Sequence, residues 1–358
     1  MKREREPKPE EEHEQERRPR EPVPPERFKE LVNAYCFDGE LCAADAAKFG
    51  ARIGDWNVSR VRDMSDAFAE AEDFDEDLSR WDTGAATDMS GMFAGATSFN
   101  APIGKWNVAR VRDMRGMFRG ACRFNQSLET WNTAAVLDMS YMFAETRDFN
   151  QPLRRWNVSN VRTMEGMFLL AKSFNGALAG WNPLRVRDMH SMFDEARAFN
   201  QPVEDWDVGS VETMDSMFSG ARVFDQSLGK WDTSEVRTMF GMFAGAEAFD
   251  GSVEDWDTSA VENLAEMFRG AKRFNRPIDR WDLSSAETLE EMFRDATSFR
   301  QSLDDWRWRL NLDVNTRGMF RGAEAFRRAP ENADALSLED RAEMPVIALE
   351  PEFARCCG

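Results

Sequence analysis

Histidine is nearly missing from this chain of 358 residues: there are two, His13 and His190. Neither has a serine, cysteine or aspartate arrangement around it that would support a hydrolytic relay. Cysteine is scarce too. Cys36, Cys42, Cys122, Cys356 and Cys357 make an odd count with no metal-ligand spacing, which argues against a zinc frame or a disulfide framework and for a reducing compartment or indifference to redox. No apolar run reaches membrane-spanning length. The opening MKREREPKPEEEHEQERRPREPVPPE has no hydrophobic region after its basic start, so no secretory signal is expected there. That leaves three alternatives: a cytoplasmic protein, a chain that begins after a processing site, or a mis-set start. Gly104-Lys105 and Gly229-Lys230 lack the upstream glycine of a phosphate loop. Basic charge is outweighed, 46 Lys and Arg against 65 Asp and Glu, a formal net of -19. Such a surface repels phosphate backbones, so nucleic acid is not an expected partner. Paired carboxylates recur too often for any one pair to mark acid/base chemistry. No catalysis, cofactor or metal is expected.

What the chain has is a period. Tryptophan recurs every 25 residues from Trp56 to Trp306. Twelve residues after each of the first ten comes a Phe (Phe68 to Phe293), and six further on a second (Phe74 to Phe299). A fixed period of this length marks a stacked repeat, in which each unit buries its face only against its neighbours. The expected fold class is an α/β repeat solenoid of leucine-rich-repeat type, with about eleven turns. Four regions are expected: a disordered, charged, Pro-rich tail at 1–26, a helical N-terminal cap at 27–50, the solenoid at 51–326 and a C-terminal tail at 327–358. The first tail is either solvating or a docking peptide. In the second, MPVIALEPEF is apolar enough to fold back over the last turn.

Counted from Trp, the apolar positions are 5, 8, 11, 12, 15 and 18; in the first unit these are Val61, Met64, Ala67, Phe68, Ala71 and Phe74. On a helical wheel they form one stripe, which predicts a two-turn helix over positions 5 to 13. Ser59, Ser159, Ser234, Ser259 and Ser284 are its candidate N-caps, and Gly95, Gly120, Gly220, Gly245 and Gly270 its left-handed C-terminal turns. The stretch before each Trp carries Pro and Asn or Asp, as in FNQPLRRWNV at 149–158, and predicts a turn followed by a short extended segment. If those segments pair, they form a parallel sheet with rungs about 4.8 Å apart and a body about 50 Å long. Two columns have alternative uses. The Met column suits a core or a promiscuous groove; the Trp column suits a core or a row of indoles stacking on sugars. A two-residue insertion after Trp306 makes the last turn atypical.

The unit F-N-Q-P-L-x-x-W-D-V-S-x-V-x-x-M-x-x-M-F-x-x-A-x-x-F, matched nearly throughout by FNQPLRRWNVSNVRTMEGMFLLAKSF at 149–174, resembles that of the BspA-like leucine-rich-repeat proteins. The likeness is to their Trp-rich branch, first grouped as mycoplasma proteins of unknown function. AKFGARIGDWNVSRV at 47–61 resembles a lead-in of protist and algal members. The resemblance implies a right-handed solenoid and, by its bacterial members, a cell-surface or secreted protein in adhesion. The chain departs from the usual L-x-x-L-x-L-x-x-N frame.

The expected function is a non-enzymatic scaffold, monomeric, that binds a protein partner along one face. The candidate face is the pair of residues before each Trp, whose charge varies while the core does not: Arg154, Arg155, Glu204, Asp205, Lys230, Glu254, Asp255, Asp279, Arg280, Asp304 and Asp305. Its acidic end suits a basic partner. Sugar binding through the Trp column and a passive spacer are the alternatives.

Overall fold

A computed structural model describes residues 20–39, 41–310, 313–329 and 332. The tail up to residue 19 and the apolar piece MPVIALEPEF fall outside them. The repeat is there, but the α/β solenoid is not. Among the described residues the α-helices are α1 (Phe28–Cys36), α2 (Ala43–Phe49) and α3 (Glu324–Arg328), all outside the regular coils. Among the described residues no coil contains the predicted helix, and no continuous sheet forms. Each coil instead meets the next at one parallel bridge, a row running from Asp63↔Asp88 through Thr163↔Asp188 to Thr288↔Asn315. That row lies at position 7, inside the stretch expected to be helical, not in the segment before Trp.

The physical reason is a left-handed residue at two places in every coil. Gly116 and Gly120 have φ of +60° and +72°, and the same conformation holds at residues with side chains, such as Tyr141 (56°), Leu170 (58°) and Ser216 (54°). A left-handed residue every fourth position breaks the i→i−4 ladder of a helix. The backbone groups are satisfied another way. Alternate N–H groups close tight turns within the coil, as Met167 N–H to Met164 O (3.1 Å) and Leu169 N–H to Gly166 O (3.0 Å). Those between them donate to the next coil: Met164 to Asp188 O (3.0 Å), Gly166 to His190 O (2.8 Å), Phe168 to Met192 O (2.9 Å) and Leu170 to Asp194 O (2.8 Å). These N–H groups are satisfied without a helix. Successive three-residue turns also return the chain inward every three or four residues, which is why the apolar spacing imitates a helix.

The columns fill the interior. The methionines from Met64 to Met319 are fully buried, and no tryptophan from Trp56 to Trp306 exceeds 5% exposure. Rings stack from coil to coil: Phe168 lies 5.5 Å from both Phe143 and Phe193, and Trp156 lies 6.3 Å from Trp181. Indole N–H groups find carbonyls one coil back, as Trp156 to Leu128 O (2.9 Å) and Trp181 to Leu153 O (2.8 Å). The Asn/Asp column after the second Phe is a ladder, each side chain accepting from the equivalent backbone N–H one coil on: Asn125 Oδ1 from Asn150 (3.0 Å), Asn150 Oδ1 from Asn175 (2.8 Å). The serines expected as N-caps serve differently. Ser159 N–H donates to Asn157 Oδ1 (3.0 Å) and Ser259 N–H to Asp257 Oδ1 (3.0 Å), closing Asx turns instead of starting helices.

At the first coil, α1 buries Phe28, Leu31 and Val32, with the Phe28 ring edge-on to Trp81 at 5.8 Å. The expected tail boundary at 26 is too late. Pro22 bridges to Asn57, the Val23 N–H donates to Asn57 O (2.8 Å), and Val23 is fully buried. Cys36 lies half-buried in this cap, and burial, with the Glu76 charge second, pushes its thiol up to about 12. At the other end the bridge Thr288↔Asn315 and the Phe293–Phe320 stack (5.7 Å) span two residues more than the regular step. A 3-10 turn at Asp304–Trp308 stands where the regular coils have a two-residue turn.

Candidate functional site

The two residues before each Trp are the centre of a turn that the Trp N–H closes onto the carbonyl three back, as in Trp206 to Val203 O (3.1 Å) and Trp281 to Ile278 O (3.2 Å). Buried side chains lie on either side, so the middle pair faces out with little constraint on its chemistry. Stacking the coils puts all these pairs along one edge. Arg154, Arg155, Asp205, Lys230, Asp255, Arg280, Asp304 and Asp305 are exposed, whereas Glu204, Glu254 and Asp279 are half-buried.

The edge is less uniformly acidic than its sequence. The Lys230 ammonium lies 2.8 Å from Asp205 and 3.5 Å from Glu204, and the Asp205 hydrogen bond raises its pKa. Ser227 also donates to Glu204 (2.9 Å). The lysine offsets one of the two carboxylates, so the group keeps a single net negative charge. Arg154 similarly faces Glu129 at 3.6 Å, while Arg155 has no ion-pair partner among the described residues. The unpaired acid lies further on: Glu254, Asp255, Asp279, Asp304 and Asp305 take no ion pair among the described residues, with Arg280 the one cation of the set. Each exposed charge there is worth about 0–1 kcal/mol to a partner and acts mainly on association rate.

A second row of carboxylates lies at the bridge positions. Asp88, Asp113 and Asp138 occupy consecutive coils, and each Oδ1 accepts the N–H two residues on (Ser90, Arg115 and Ser140). Burial, and then the neighbouring Asp138 and Asp88, raise the Asp113 pKa; burial raises Asp188 as well. The residues are turn-formers, and among the described residues no group of three or more His, Cys, Asp or Glu is placed to hold a metal ion.

Sequence reasoning missed the rows flanking the buried residue at position 5. Arg60 and Arg62, Arg110 and Arg112, and Arg185 and Arg187 stand exposed on either side of Val61, Val111 and Val186. Their out–in–out alternation in SRVRDM, ARVRDM and LRVRDM was the available signal, masked by the helical spacing that follows. The sugar-stacking alternative finds no exposed indole in the column from Trp56 to Trp306.

These features define a repeat protein of stacked coils with a closed aromatic core and a variable charged edge. The chain belongs to the family described as "Mycoplasma protein of unknown function, DUF285", which matches it at residues 40–153, 122–231 and 223–333. No curated protein matches it. Among the described residues no helix is long and apolar enough to cross a membrane.

Proposed function

We propose that the protein is a non-enzymatic binding scaffold whose partner is a basic protein surface captured along the edge before the tryptophans. The observation that carries this reading is the contrast between a core repeated without variation and an edge whose carboxylates, among the described residues, stand without ion pairs only from Glu254 onward. A repeat stack offers a long surface at little cost in specificity, because outward residues change without disturbing the core. The resemblance to BspA-like proteins supports the finer form, in which that partner is met in adhesion.

The test is capture on immobilised protein across a salt series, with two variants. Changing Glu204, Asp205, Glu254 and Asp255 to Lys is expected to weaken capture and abolish its salt dependence. Reversing Arg115 and Arg119, on the turn segment beyond the bridge row, is expected to leave it unchanged. A partner that ignores the four-Lys variant and is lost with the Arg115/Arg119 variant refutes the reading.

A further inference from the structure

The arginine rows beside the bridges are a second surface, separate from the acidic edge. Coils one and three carry Arg60, Arg62, Arg110 and Arg112; coils five and six carry Arg162, Arg185 and Arg187. All are exposed. Only Arg187 has a carboxylate partner (Glu212, 2.6 Å), and Arg185 donates to the neutral Asn160 (3.0 Å). The other five make no side-chain hydrogen bond or ion pair among the described residues. The coils between them put Ala85 and Ala135 where Arg60 and Arg110 stand, so small residues form valleys between arginine ridges. Two open depressions lie here. One is lined by Thr87, Asp88, Ala109, Arg110, Arg112 and Ala135; the other by Arg162, Arg185, Arg187 and Ser210, with no carboxylate in its wall. The aspartates of the bridge row are adjacent, but Asp88, Asp113 and Asp188 are half-buried with an oxygen turned to their own backbone. Beyond coil six the same rows carry Glu212, Glu235, Glu262 and Glu287 against Arg237, which itself faces Glu262 at 3.9 Å, and the strip changes sign.

We propose that this strip docks an acidic segment of a partner protein in extended form, a Glu or Asp at every third residue reaching successive arginine groups. The spacing supports it. Coils about 4.8 Å apart put the arginine groups of coils one, three and five (Arg60 and Arg62, Arg110 and Arg112, Arg162) in steps of about 10 Å, with the coil-six pair one coil further, and three extended residues cover about the length of one such step. Guanidinium groups bind carboxylates bidentately, so two per pair of coils match one carboxylate each side of a valley. The net charge of -19 does not forbid this, because screening confines its repulsion to about 8 Å at physiological salt, and the local sign decides.

The test uses the full chain and a fluorescent peptide of about twelve residues with Glu at every third position, followed by anisotropy at low salt. Binding is expected, weakening as salt is added. Arg110→Glu, Arg112→Glu, Arg162→Glu and Arg185→Glu together are expected to weaken it at least about tenfold. The control makes the same change in net charge elsewhere, at Arg123, Lys172, Arg222 and Arg273, and is expected to bind as the parent does. Tryptophan emission checks that both variants fold. The proposal is overturned by equal losses in the two variants, by no binding to the parent chain, or by an oligonucleotide of equal charge binding as tightly as the peptide. None of these outcomes bears on the acidic edge, which the peptide does not touch.

Discussion

Gly116→Ala separates a coil of turns from a coil with a helix by the sign of its effect. Gly116 lies at position 10, the middle of the helix expected from apolar spacing, and there a Gly→Ala change would stabilise by about 1 kcal/mol. In the structure its φ is +60°, and a Cβ added to it would meet nothing nearer than the Arg119 Cβ at 3.9 Å. No clash enters, so the cost is conformational. Holding Ala in the left-handed region costs about 1–2 kcal/mol, offset by about 0.4–1 kcal/mol from the stiffer unfolded chain. The net expectation is a loss of about 1 kcal/mol. Ser216→Gly is the converse: φ there is +54°, so the change relieves strain and should stabilise slightly, where a helix interior would be weakened. Urea melts followed by tryptophan emission read both, provided the slopes are unchanged. A Gly116→Ala variant more stable than its parent refutes the turn architecture.

Phe168→Ala, which opens a cavity between the rings of Phe143 and Phe193, is expected to cost about 3–5 kcal/mol, whereas the exposed Arg155→Ala should stay within about 0.5 kcal/mol. Equal losses in urea would show that the register of the coils is wrong. Asp113→Asn tests the bridge-row carboxylates. Because burial raises this carboxyl in the folded chain, the folded state holds the proton at a pH where the unfolded state has lost it. Its contribution to stability therefore falls as pH rises from the unfolded carboxyl value through the raised folded one. The amide keeps an oxygen for the Arg115 N–H, as Asn263 does for Ala265 (3.0 Å) in its own coil. The variant should then be more stable than the parent at neutral pH, the difference closing as pH drops below the unfolded range. A variant less stable at neutral pH contradicts that sign.

The period, the buried columns and the irregular last coil were all legible, because Trp, Phe and Met recur at fixed spacing and aromatic columns of that length must be covered. The conformation of the stretch from Val161 to Ala171 was not. Both a helix and a run of tight turns send a side chain inward every three or four residues, so the apolar spacing cannot separate them. The clue lay in glycine at two places four residues apart, as in Gly91/Gly95, Gly116/Gly120 and Gly241/Gly245. A helix accounts for one left-handed residue at its end, not for a second inside it. The coils with Tyr141 and Leu170 at those places hid the pattern, since neither residue announces positive φ. At the candidate site, exposure of the pre-Trp pairs followed from the column pattern. That Lys230 pairs with both Glu204 and Asp205 did not, because the contact joins residues one coil apart.

The proposed binding through the charged surface requires the aromatic columns to be sealed. Collisional quenching of tryptophan emission tests it most directly. Indoles at 5% exposure or less, with N–H groups bonded to the previous coil, should emit to the blue and resist both iodide and acrylamide until urea unfolds the chain. Red-shifted emission that iodide quenches readily in the native protein, and that a sugar ligand protects, would contradict the claim and return the tryptophan column to the binding surface.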